Sequence, residues 1–334
     1  MLSMAPDEAR TLITGGSGFV GRHLIENAVL RGRAVRATHR TRVGAPRRGA
    51  VEWIDVGDVG MHTNWGAALE GISAVIHLAA RAHVLAGRAH DSVSAYRETN
   101  TCGSVHLAEC AASAGVKRFV FVSSVGVHGR ASPGRAISEQ DEPQPHDPYT
   151  LSKREAELGL LDIGGRTSMQ VVIVRPPLVF GPDAPGNFGR LLRAVHRGWP
   201  LPFAALDNRR SLINVENLVD FLWLCCGHPH AAGEIFLVAD DDDVSTPQLA
   251  HHLASGMGRK PRLFYMPESS LRLAGRLAGR TATIESLCGS LLVSTSKARD
   301  VLGWRARVPT ARGLQQAAHD FVRRRRADPR CSTC

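Results

Sequence analysis

The sequence predicts an α/β fold built on a doubly wound parallel sheet. Nearly continuous Val/Ile/Leu runs recur through the first half of the chain, and patterns typical of helices separate them. Such runs indicate strands that are buried on both faces, as in a parallel sheet covered by helices. A glycine-rich turn also lies between the first run and the first helical pattern, and folds of this class bind ligands at such turns.

The apolar runs predict six strands, and the patterns between them predict three helices. The expected strands are residues 11–14, 34–38, 51–55, 74–79, 118–123 and 170–175. The expected helices are residues 18–31, 100–114 and 149–161. Prolines crowd the stretch after residue 175, which indicates that the chain leaves the sheet to build a second, smaller α/β region. Within that region, Thr246 and Pro247 predict a helix start with Thr246 as N-cap.

The composition excludes several classes of protein. The chain has 334 residues, of which 43% are hydrophobic and 22% are charged, close to globular averages and unlike a disordered or fibrous chain. The net charge of +10 raises the question of nucleic acid. The basic residues are spread along the chain, however, and no basic stripe with interleaved aromatic residues occurs, so no nucleic-acid partner is expected.

Cysteine usage and the terminus bear on the expected location. Seven cysteines form an odd set without framework spacing, which indicates a reducing compartment. The N-terminal residues lack the pattern of a signal peptide. No apolar run approaches the roughly 18 residues that span a bilayer. We therefore expect a cytoplasmic protein without a membrane partner.

The glycine-rich turn predicts a dinucleotide site. Gly15, Gly18 and Gly21 follow the first strand and open the first helix. At this spacing the first glycine permits a tight turn, the second lets the backbone approach a pyrophosphate, and the third allows close packing of helix on strand. The helix N-terminus adds free N–H groups and a positive dipole end for the phosphates.

The end of the second strand bears on which dinucleotide binds. An acidic residue there would accept the ribose 2′-hydroxyl of NAD, but the strand ends in His39 and Arg40. An arginine can neutralise a 2′-phosphate, so NADP is preferred over NAD. The alternative is that Arg40 is one of many arginines on a solvated loop.

Tyr149 and Lys153 predict the catalytic centre. Positions four residues apart share one face of a helix, and the chain has only three tyrosines and four lysines. A neighbouring ammonium favours the phenolate of a tyrosine, whose ordinary pKa is about 10. Tyr149 can then exchange a proton with a substrate oxygen while a nicotinamide exchanges a hydride. A hydroxyl of the Ser123–Ser124 pair, at the end of the fifth strand, can orient the reacting group.

Together these residues resemble the extended short-chain dehydrogenase/reductase superfamily, in its nucleotide-sugar epimerase/dehydratase branch. The resemblance runs from about Arg10 to Val322. The motifs that carry it are residues 14–21, 77–80, Asn100 with Gly103, 121–129, 149–153, 175–181 and 210–215. It implies a Rossmann-type domain followed by a substrate-binding domain, and a homodimer.

The resemblance also implies roles for individual residues. The catalytic set would be Ser124, Tyr149, Lys153 and Asn100. Cofactor contacts would come from Gly15, Gly18, Phe19, Val20, Gly21, Arg40, Asp58, Val59, Leu78, Ala79, Ala80, Tyr149, Lys153 and Pro176. Substrate contacts would come from Ser124, Asn187 and Arg210, the last two on the nucleotide diphosphate. Asn214 replaces the histidine that is usual four residues after that arginine.

Three reactions on UDP-sugars compete. In this family a dehydratase has an acid/base pair after the active-site hydroxyl, and Val125 and Gly126 stand there instead. The missing acidic residue after the second strand favours a reductase of the 4-keto group of a UDP-4-keto-6-deoxy-N-acetylhexosamine. The chain is similar over residues 175–187, 208–212 and 286–304 to bacterial O-antigen enzymes of that kind. The alternative is an NAD-dependent 4-epimerase of UDP-hexoses or UDP-N-acetylhexosamines.

The expected domains are residues 10–180, with a return segment at about 211–238, for the dinucleotide, and 181–210 with 239–322 for the substrate. Residues 323–334 form a basic tail that we expect to be disordered. The acidic run at 240–243 is interpreted as a solvated loop. Cys331 and Cys334 have metal-ligand spacing without a second pair, so no metal site is expected.

Overall fold

The computed structural model describes residues 10–40, 51–82, 93–132 and 134–327. Seven parallel strands form the main sheet in the order β3-β2-β1-β4-β5-β6-β9. They are β1 (Arg10–Thr14), β2 (Val35–His39), β3 (Val51–Asp55), β4 (Ile72–His77), β5 (Arg118–Val122), β6 (Gln170–Arg175) and β9 (Ile235–Leu237). Two short strands, β7 (Leu178–Phe180) and β8 (Leu212–Asn214), pair in a separate sheet. The doubly wound class is confirmed.

Helices connect the strands and continue beyond the sheet. Their bounds are α1 (Phe19–Leu30), α2 (Gly66–Leu69), α3 (Val93–Tyr96), α4 (Gly103–Ser113), α5 (Pro148–Arg166), α6 (Gly186–His196), α7 (Val215–Gly227), α8 (Thr246–Gly256), α9 (Glu268–Leu277), α10 (Thr281–Cys288), α11 (Ser296–Leu302) and α12 (Thr310–Ala327). Short 3₁₀ turns cover Val125–His128 and Pro229–Ala231, and a π-helical turn covers Arg97–Cys102. None of the described helices has the length and apolar character needed to cross a membrane.

The sheet order places a ligand crevice in a defined position. From β1 the chain builds the sheet outward through β2 and β3, and then returns to start β4 on the other side of β1. Strand order therefore reverses between β1 and β4, and open α/β sheets bind ligands at this switch point, beyond the carboxyl ends of the strands. The glycine-rich turn follows β1 directly.

Buried apolar side chains form clusters on both faces of the main sheet. On one face α1 and α7 pack on the strands, for example through Leu24 and Leu222. On the other face α4 and α5 do so through Leu107 and Leu160. A third cluster joins α6, α8 and α12, all of which lie outside the main sheet. The domain boundaries expected from the sequence stay a prediction.

Three local expectations were wrong. Ser245, not Thr246, is the N-cap of α8; its hydroxyl accepts a hydrogen bond from the N–H of Gln248, while Thr246 donates to the carbonyl of Leu287. The expected helix at 100–114 begins as a π-helical turn that contains Asn100. The basic residues expected in a disordered tail continue α12 as far as Ala327; residues 328–334, with Cys331 and Cys334, lie outside the described residues.

The acidic run was also misjudged at its first position. Asp240 is buried, and its carboxylate accepts hydrogen bonds from the backbone N–H of Asn214 at 3.0 Å and the side-chain amide of Asn217 at 2.7 Å. Burial raises the pKa of Asp240 to about 7. Asp240 therefore stabilises the start of α7 through buried hydrogen bonds and does not belong to a solvated loop.

Candidate active site

The glycine-rich turn leaves backbone open at the start of α1. Gly15 has φ +67°, and a Cβ atom there would lie 2.8 Å from the backbone nitrogen of Ala79. A Cβ at Gly21 would lie 2.3 Å from the carbonyl oxygen of Gly15. Gly18 caps α1 without any side-chain hydrogen bond, so the first N–H groups of the helix stay available to an anion. These residues fit the pyrophosphate of a dinucleotide.

Several of the expected cofactor residues border this turn. Phe19 and Val20 form the first turn of α1. The backbone N–H groups of Leu78 and Ala79 both donate to the hydroxyl of Thr14 at 3.2 Å, which fixes the segment after β4, including Ala80, beside the turn. Both sides of the crevice at the switch point are therefore built from expected residues.

The end of β2 carries no carboxylate. Arg40 follows the strand with 77% of its side chain exposed, and its guanidinium lies 3.7 Å from the carboxylate of Asp58. Val59, next to Asp58, is buried. A Cβ at Gly103 would lie 2.8 Å from the Val59 side chain, so this glycine allows α4 to pack closely on the segment after β3.

The start of α5 is fixed by its cap. The Asp147 side chain accepts from the N–H of Thr150, and the Thr150 hydroxyl accepts from the N–H of Asp147. Pro148 occupies the first helical turn. Because this capping box fixes the helix start, it also fixes Tyr149 in the first turn and Lys153 one turn later. Tyr149 is partly buried, and its ring meets that of Tyr96 edge to face, with 6.5 Å between centroids.

Lys153 is a buried cation that contacts no carboxylate of the described residues. Its side chain is 2% exposed. Its ammonium donates to the carbonyl oxygen of Val122 at 2.8 Å and lies 4.4 Å above the Phe121 ring. Burial lowers the pKa of Lys153 to about 7, against an opposing effect of Glu157. Lys153 is therefore a group whose charge changes near neutral pH.

The pKa of Tyr149 moves opposite to the expectation. Burial raises it to about 12, and the charge of Asp147 adds to the rise. The expected ammonium effect is missing because Lys153 is turned to the Val122 carbonyl and the Phe121 ring. The phenol is thus held in its protonated form.

Ser124 lies at the carboxyl end of β5, two residues beyond the carbonyl that Lys153 contacts. It caps the 3₁₀ turn Val125–His128, and its Oγ accepts from the N–H of Gly126 at 3.1 Å. The N–H of Val125 donates to the carbonyl of Pro176 at 2.9 Å. Pro176 and Ser124 are in this way brought to the same edge of the sheet.

Asn100 holds the site together from inside the π-helical turn. Its side-chain oxygen accepts from the N–H of Arg81 at 2.8 Å, and its amide nitrogen donates to the Ser152 hydroxyl at 3.0 Å. It thus joins the segment after β4 to α5 next to Lys153. π-helical turns are frequent at functional sites.

A buried chain of hydrogen bonds continues from Asn100, which is the one member of the chain that the sequence analysis assigned to the site. The His77 ring joins the Thr14 hydroxyl at 2.6 Å and the Ser104 hydroxyl at 2.9 Å. Ser104 in turn donates to the carbonyl of Asn100 at 2.6 Å. His77 is fully buried, and both of its ring nitrogens are hydrogen-bonded. Thr14 and Ser104 carry no distinctive local signal.

A buried ionic cluster below Lys153 was also missed. The Arg175 guanidinium donates to both carboxylate oxygens of Glu157, at 2.9 and 2.6 Å, and to the His128 ring at 2.8 Å. Arg154 donates to Glu157 at 3.1 Å. Burial and the charge of Arg175 lower the pKa of His128 to about 4. The four-residue spacing of Lys153 and Glu157, which places both on one face of α5, is the sequence signal that could have indicated this cluster.

The other two expected substrate residues, Asn187 and Arg210, lie on different elements from Tyr149 and Ser124. Asn187 is exposed in the first turn of α6, where its side-chain oxygen accepts from Arg190. Arg210 donates to the carbonyls of Ser286 at 2.7 Å and Gly289 at 2.9 Å, and burial lowers its pKa. No hydrogen bond of the described residues joins either side chain to Tyr149.

One segment nevertheless links Arg210 to the region around Ser124. The N–H of Ser211 donates to the carbonyl of Leu291, and the N–H of Ile137 donates to the carbonyl of Leu292. Residues 289–294 therefore connect the Arg210 strand to the chain that follows the 3₁₀ turn. Among the described residues, no group of three or more His, Cys, Asp or Glu side chains could hold a metal.

Comparisons with known proteins match this architecture. The family model described as "NAD dependent epimerase/dehydratase family" matches residues 11–239. A UDP-glucose 4-epimerase of Vibrio cholerae is 37% identical over 318 residues, which cover 93% of this chain and 95% of that protein. The structure of MoeE5 in complex with UDP-glucuronic acid and NAD is 27% identical, with a TM-score of 0.77 over 95% of this chain and 99% of the other. The same protein in complex with UDP-glucose and NAD gives a TM-score of 0.76.

Proposed function

The chain belongs to the NAD dependent epimerase/dehydratase family, and on that basis we propose that it is an NAD-dependent 4-epimerase of UDP-hexoses or UDP-N-acetylhexosamines. The observation that carries the proposal is the proton-transfer set at the carboxyl end of β5. It comprises Tyr149, Lys153 and Ser124, followed by Val125 and Gly126, which carry no acid or base. Such a set suits exchange between an alcohol and a ketone, and not elimination of water.

The cofactor would lie across the switch point. The turn from Gly15 to Gly21 would hold its pyrophosphate, residues 78–80 and Pro176 would border its nicotinamide half, and Lys153 would hold the ribose. When bound there, a nicotinamide dinucleotide supplies a hydride acceptor and donor. MoeE5 was solved with NAD, which supports NAD as the cofactor of the epimerase.

Tyr149 would move the proton. As the phenolate, Tyr149 Oη would take the proton of the sugar C4 hydroxyl, and the resulting phenol would return a proton to the same oxygen when the C4 ketone is reduced. The pKa of about 12 opposes the first of these transfers, because the phenolate must form in a site that disfavours negative charge. A positive charge close to the phenol would oppose this effect. The Lys153 ammonium, one helical turn away, would have to turn from the Val122 carbonyl toward the phenol to supply it.

Substrate groups would be held by three residues on separate elements. The Ser124 hydroxyl would orient the C4 oxygen. Asn187 and Arg210 would contact the diphosphate, for which a guanidinium provides paired donors. Both side chains would have to release part of their present partners, Arg190 for Asn187 and the α10 carbonyls for Arg210.

A second candidate is a reductase of the 4-keto group of a UDP-4-keto-6-deoxy-N-acetylhexosamine, acting in surface polysaccharide synthesis. The observation that favours it is the end of β2, where Arg40 stands exposed and the strand itself ends without a carboxylate. An arginine there suits the 2′-phosphate of NADPH. A reductase exchanges its cofactor at every turnover, whereas a 4-epimerase regenerates it.

The two functions differ in what the purified protein needs. An epimerase converts UDP-glucose to UDP-galactose, or UDP-N-acetylglucosamine to UDP-N-acetylgalactosamine, without net use of a reduced cofactor. A reductase consumes NADPH, followed by absorbance, when given the UDP-4-keto-6-deoxy sugar. Conversion without NADPH consumption supports the epimerase. NADPH consumption with no interconversion of the sugars would establish the reductase instead.

A further inference from the structure

The segment 257–280 carries a strongly basic surface. It contains six basic residues, Arg259, Lys260, Arg262, Arg272, Arg276 and Arg280, and a single acidic residue, Glu268. Glu268 pairs with Arg272. The other five basic residues form no ion pair with any residue that the structure describes. Arg259 and Arg262 donate to the carbonyls of His196 and Gly198, so the charge of these five residues is not offset by an ion pair with a described residue.

The same surface exposes large apolar side chains. Leu273 and Leu277 stand one turn apart on α9 and are 57% and 82% exposed, and Tyr265 is 74% exposed. α9 packs on α10 through its opposite side, where Leu271 is buried and Gly275 lies against Ile284. With 3.6 residues per turn, the two leucines point away from that contact, and Arg276 flanks them.

Trp199 and Phe264 extend the surface beyond α9. The N–H of Leu201 donates to the carbonyl of Arg262 at 2.8 Å, and the N–H of Phe264 donates to the carbonyl of Leu201 at 3.0 Å. This pairing places the exposed Trp199 beside residues 262–264. The α9 surface, defined as Trp199, residues 259–265 and α9, thus combines exposed aromatic rings, exposed leucines and arginines.

We propose that the α9 surface docks the protein on the headgroup region of an anionic phospholipid membrane. A helix that presents leucines between arginines, next to exposed Trp, Phe and Tyr rings, has the composition of an interfacial membrane-binding helix. The arginines match anionic headgroups, and the leucines and rings match the acyl boundary. The protein would lie on the surface of the membrane and would not cross it.

Charge distinguishes this partner from two others. A second copy seated on the same surface would bring two uncompensated basic clusters together, which is unfavourable. A nucleic acid would satisfy the arginines and leave the aliphatic Leu273 and Leu277 in water. An anionic membrane satisfies both groups at once.

The test is flotation of the full-length protein with lipid vesicles. We expect it to float with vesicles of phosphatidylcholine and phosphatidylglycerol, and not with phosphatidylcholine alone. Each basic residue near such a surface is worth about fivefold in affinity, so Arg276→Glu with Arg280→Glu should weaken binding by about 25-fold or more. Leu273→Ser with Leu277→Ser should weaken it by at least about tenfold, because two apolar side chains no longer leave water. High salt should weaken binding by the wild type.

Matched control variants lie on other parts of the chain. Leu30→Ser changes a leucine that is 85% exposed at the end of α1, and Arg305→Glu changes an exposed arginine between α11 and α12. Both should bind vesicles like the wild type.

Failure of the wild type to float overturns the proposal. So does binding that the leucine variant retains, which would indicate a general polyanion site. A change of oligomeric state by the leucine variant in gel filtration would assign the surface to a second copy instead. Flotation does not depend on which sugar reaction the enzyme performs.

Discussion

Two buried charges lie one turn apart on α5, and their surroundings differ. Tyr149, Lys153 and Glu157 follow one another at four-residue spacing along one face of the helix. Lys153 has a carbonyl and a ring for partners, and its pKa falls to about 7. Glu157 has two guanidinium groups, with Arg175 bound to both its oxygens. A buried charge without a counter-ion is costly for folding. We therefore assign the upper part of this face, Tyr149 and Lys153, to catalysis, and the lower part, Glu157 with Arg175 and His128, to stability.

The largest effect that tests this division is expected from Tyr149→Phe. Removal of the phenol oxygen removes the proton donor and should lower turnover of the UDP-sugar by about 10²–10⁴-fold. The melting temperature should stay close to that of the wild type, because Tyr149 donates no hydrogen bond within the described residues. Tyr265→Phe is the matched control, since that tyrosine is exposed, and should leave turnover unchanged. Retained activity of the Tyr149 variant would remove the upper part of the face from the mechanism.

Glu157→Gln should act on stability instead. It leaves Arg175 buried without a counter-ion, which typically costs about 3–5 kcal/mol of the free energy of unfolding. Urea denaturation followed by circular dichroism measures this. Glu155→Gln on the same helix removes the partner of the half-exposed Arg97 and should cost about 0–1 kcal/mol. Equal losses for the two variants would contradict a structural role specific to the buried cluster.

Lys153→Met should change turnover and stability in opposite directions. We expect turnover to fall by about 10²-fold, because the ammonium no longer assists Tyr149. We also expect the free energy of unfolding at pH 7 to rise by about 1–3 kcal/mol, because an apolar chain of similar length needs no hydration. In the control Lys297→Met, the lysine is half-buried and pairs with Glu234 at 2.7 Å, and both quantities should change little. A less stable Lys153 variant would mean that the Val122 carbonyl outweighs desolvation.

The pH dependence of stability gives a further test of the Lys153 environment. The pKa of Lys153 is about 7 in the folded protein and 10.5 as its ordinary value. Between these values the unfolded chain binds more protons, so stability rises with pH. From pH 7 to 9 this one group should add about 2–3 kcal/mol at most, and Lys153→Met should remove that part of the slope. Urea denaturation of the wild type and the variant at pH 7 and pH 9 measures this. Equal pH slopes for the two proteins would mean that Lys153 does not titrate in this range.

Below pH 7, His128 should make stability rise with pH, against the opposite contribution of Asp240, whose pKa is raised to about 7. The pKa of His128 is about 4 in the folded protein against 6.5 ordinarily, so the imidazole stays neutral beside Arg175 while the unfolded chain takes up a proton. Stability that depends on His128 is present above pH 6.5 and is lost as the pH falls toward 4.

The sheet and the turn could be predicted from the sequence because their signals are local. An alternating run of residues predicted β3 and a continuous apolar run predicted β6, both with their observed bounds, and Gly15 to Gly21 predicted the anion-binding turn. The surroundings of Lys153 and Asp240 could not be predicted, because burial depends on elements distant in sequence. For the same reason no sequence pattern indicated that Lys153 faces Val122 instead of the phenol, or that β9, only three residues long, completes the sheet.

The chain of hydrogen bonds through His77 has a fixed direction. The Ser104 hydroxyl gives its hydrogen to the Asn100 carbonyl, so it can only accept from His77 Nε2. Burial lowers the pKa of His77 to about 3, so the ring is neutral, and Nδ1 must accept from the Thr14 hydroxyl. Thr14 in turn accepts from the N–H groups of Leu78 and Ala79. Every hydrogen atom therefore points from the dinucleotide turn toward Asn100, so the dipoles of the chain are aligned and orient the Asn100 carbonyl relative to the turn.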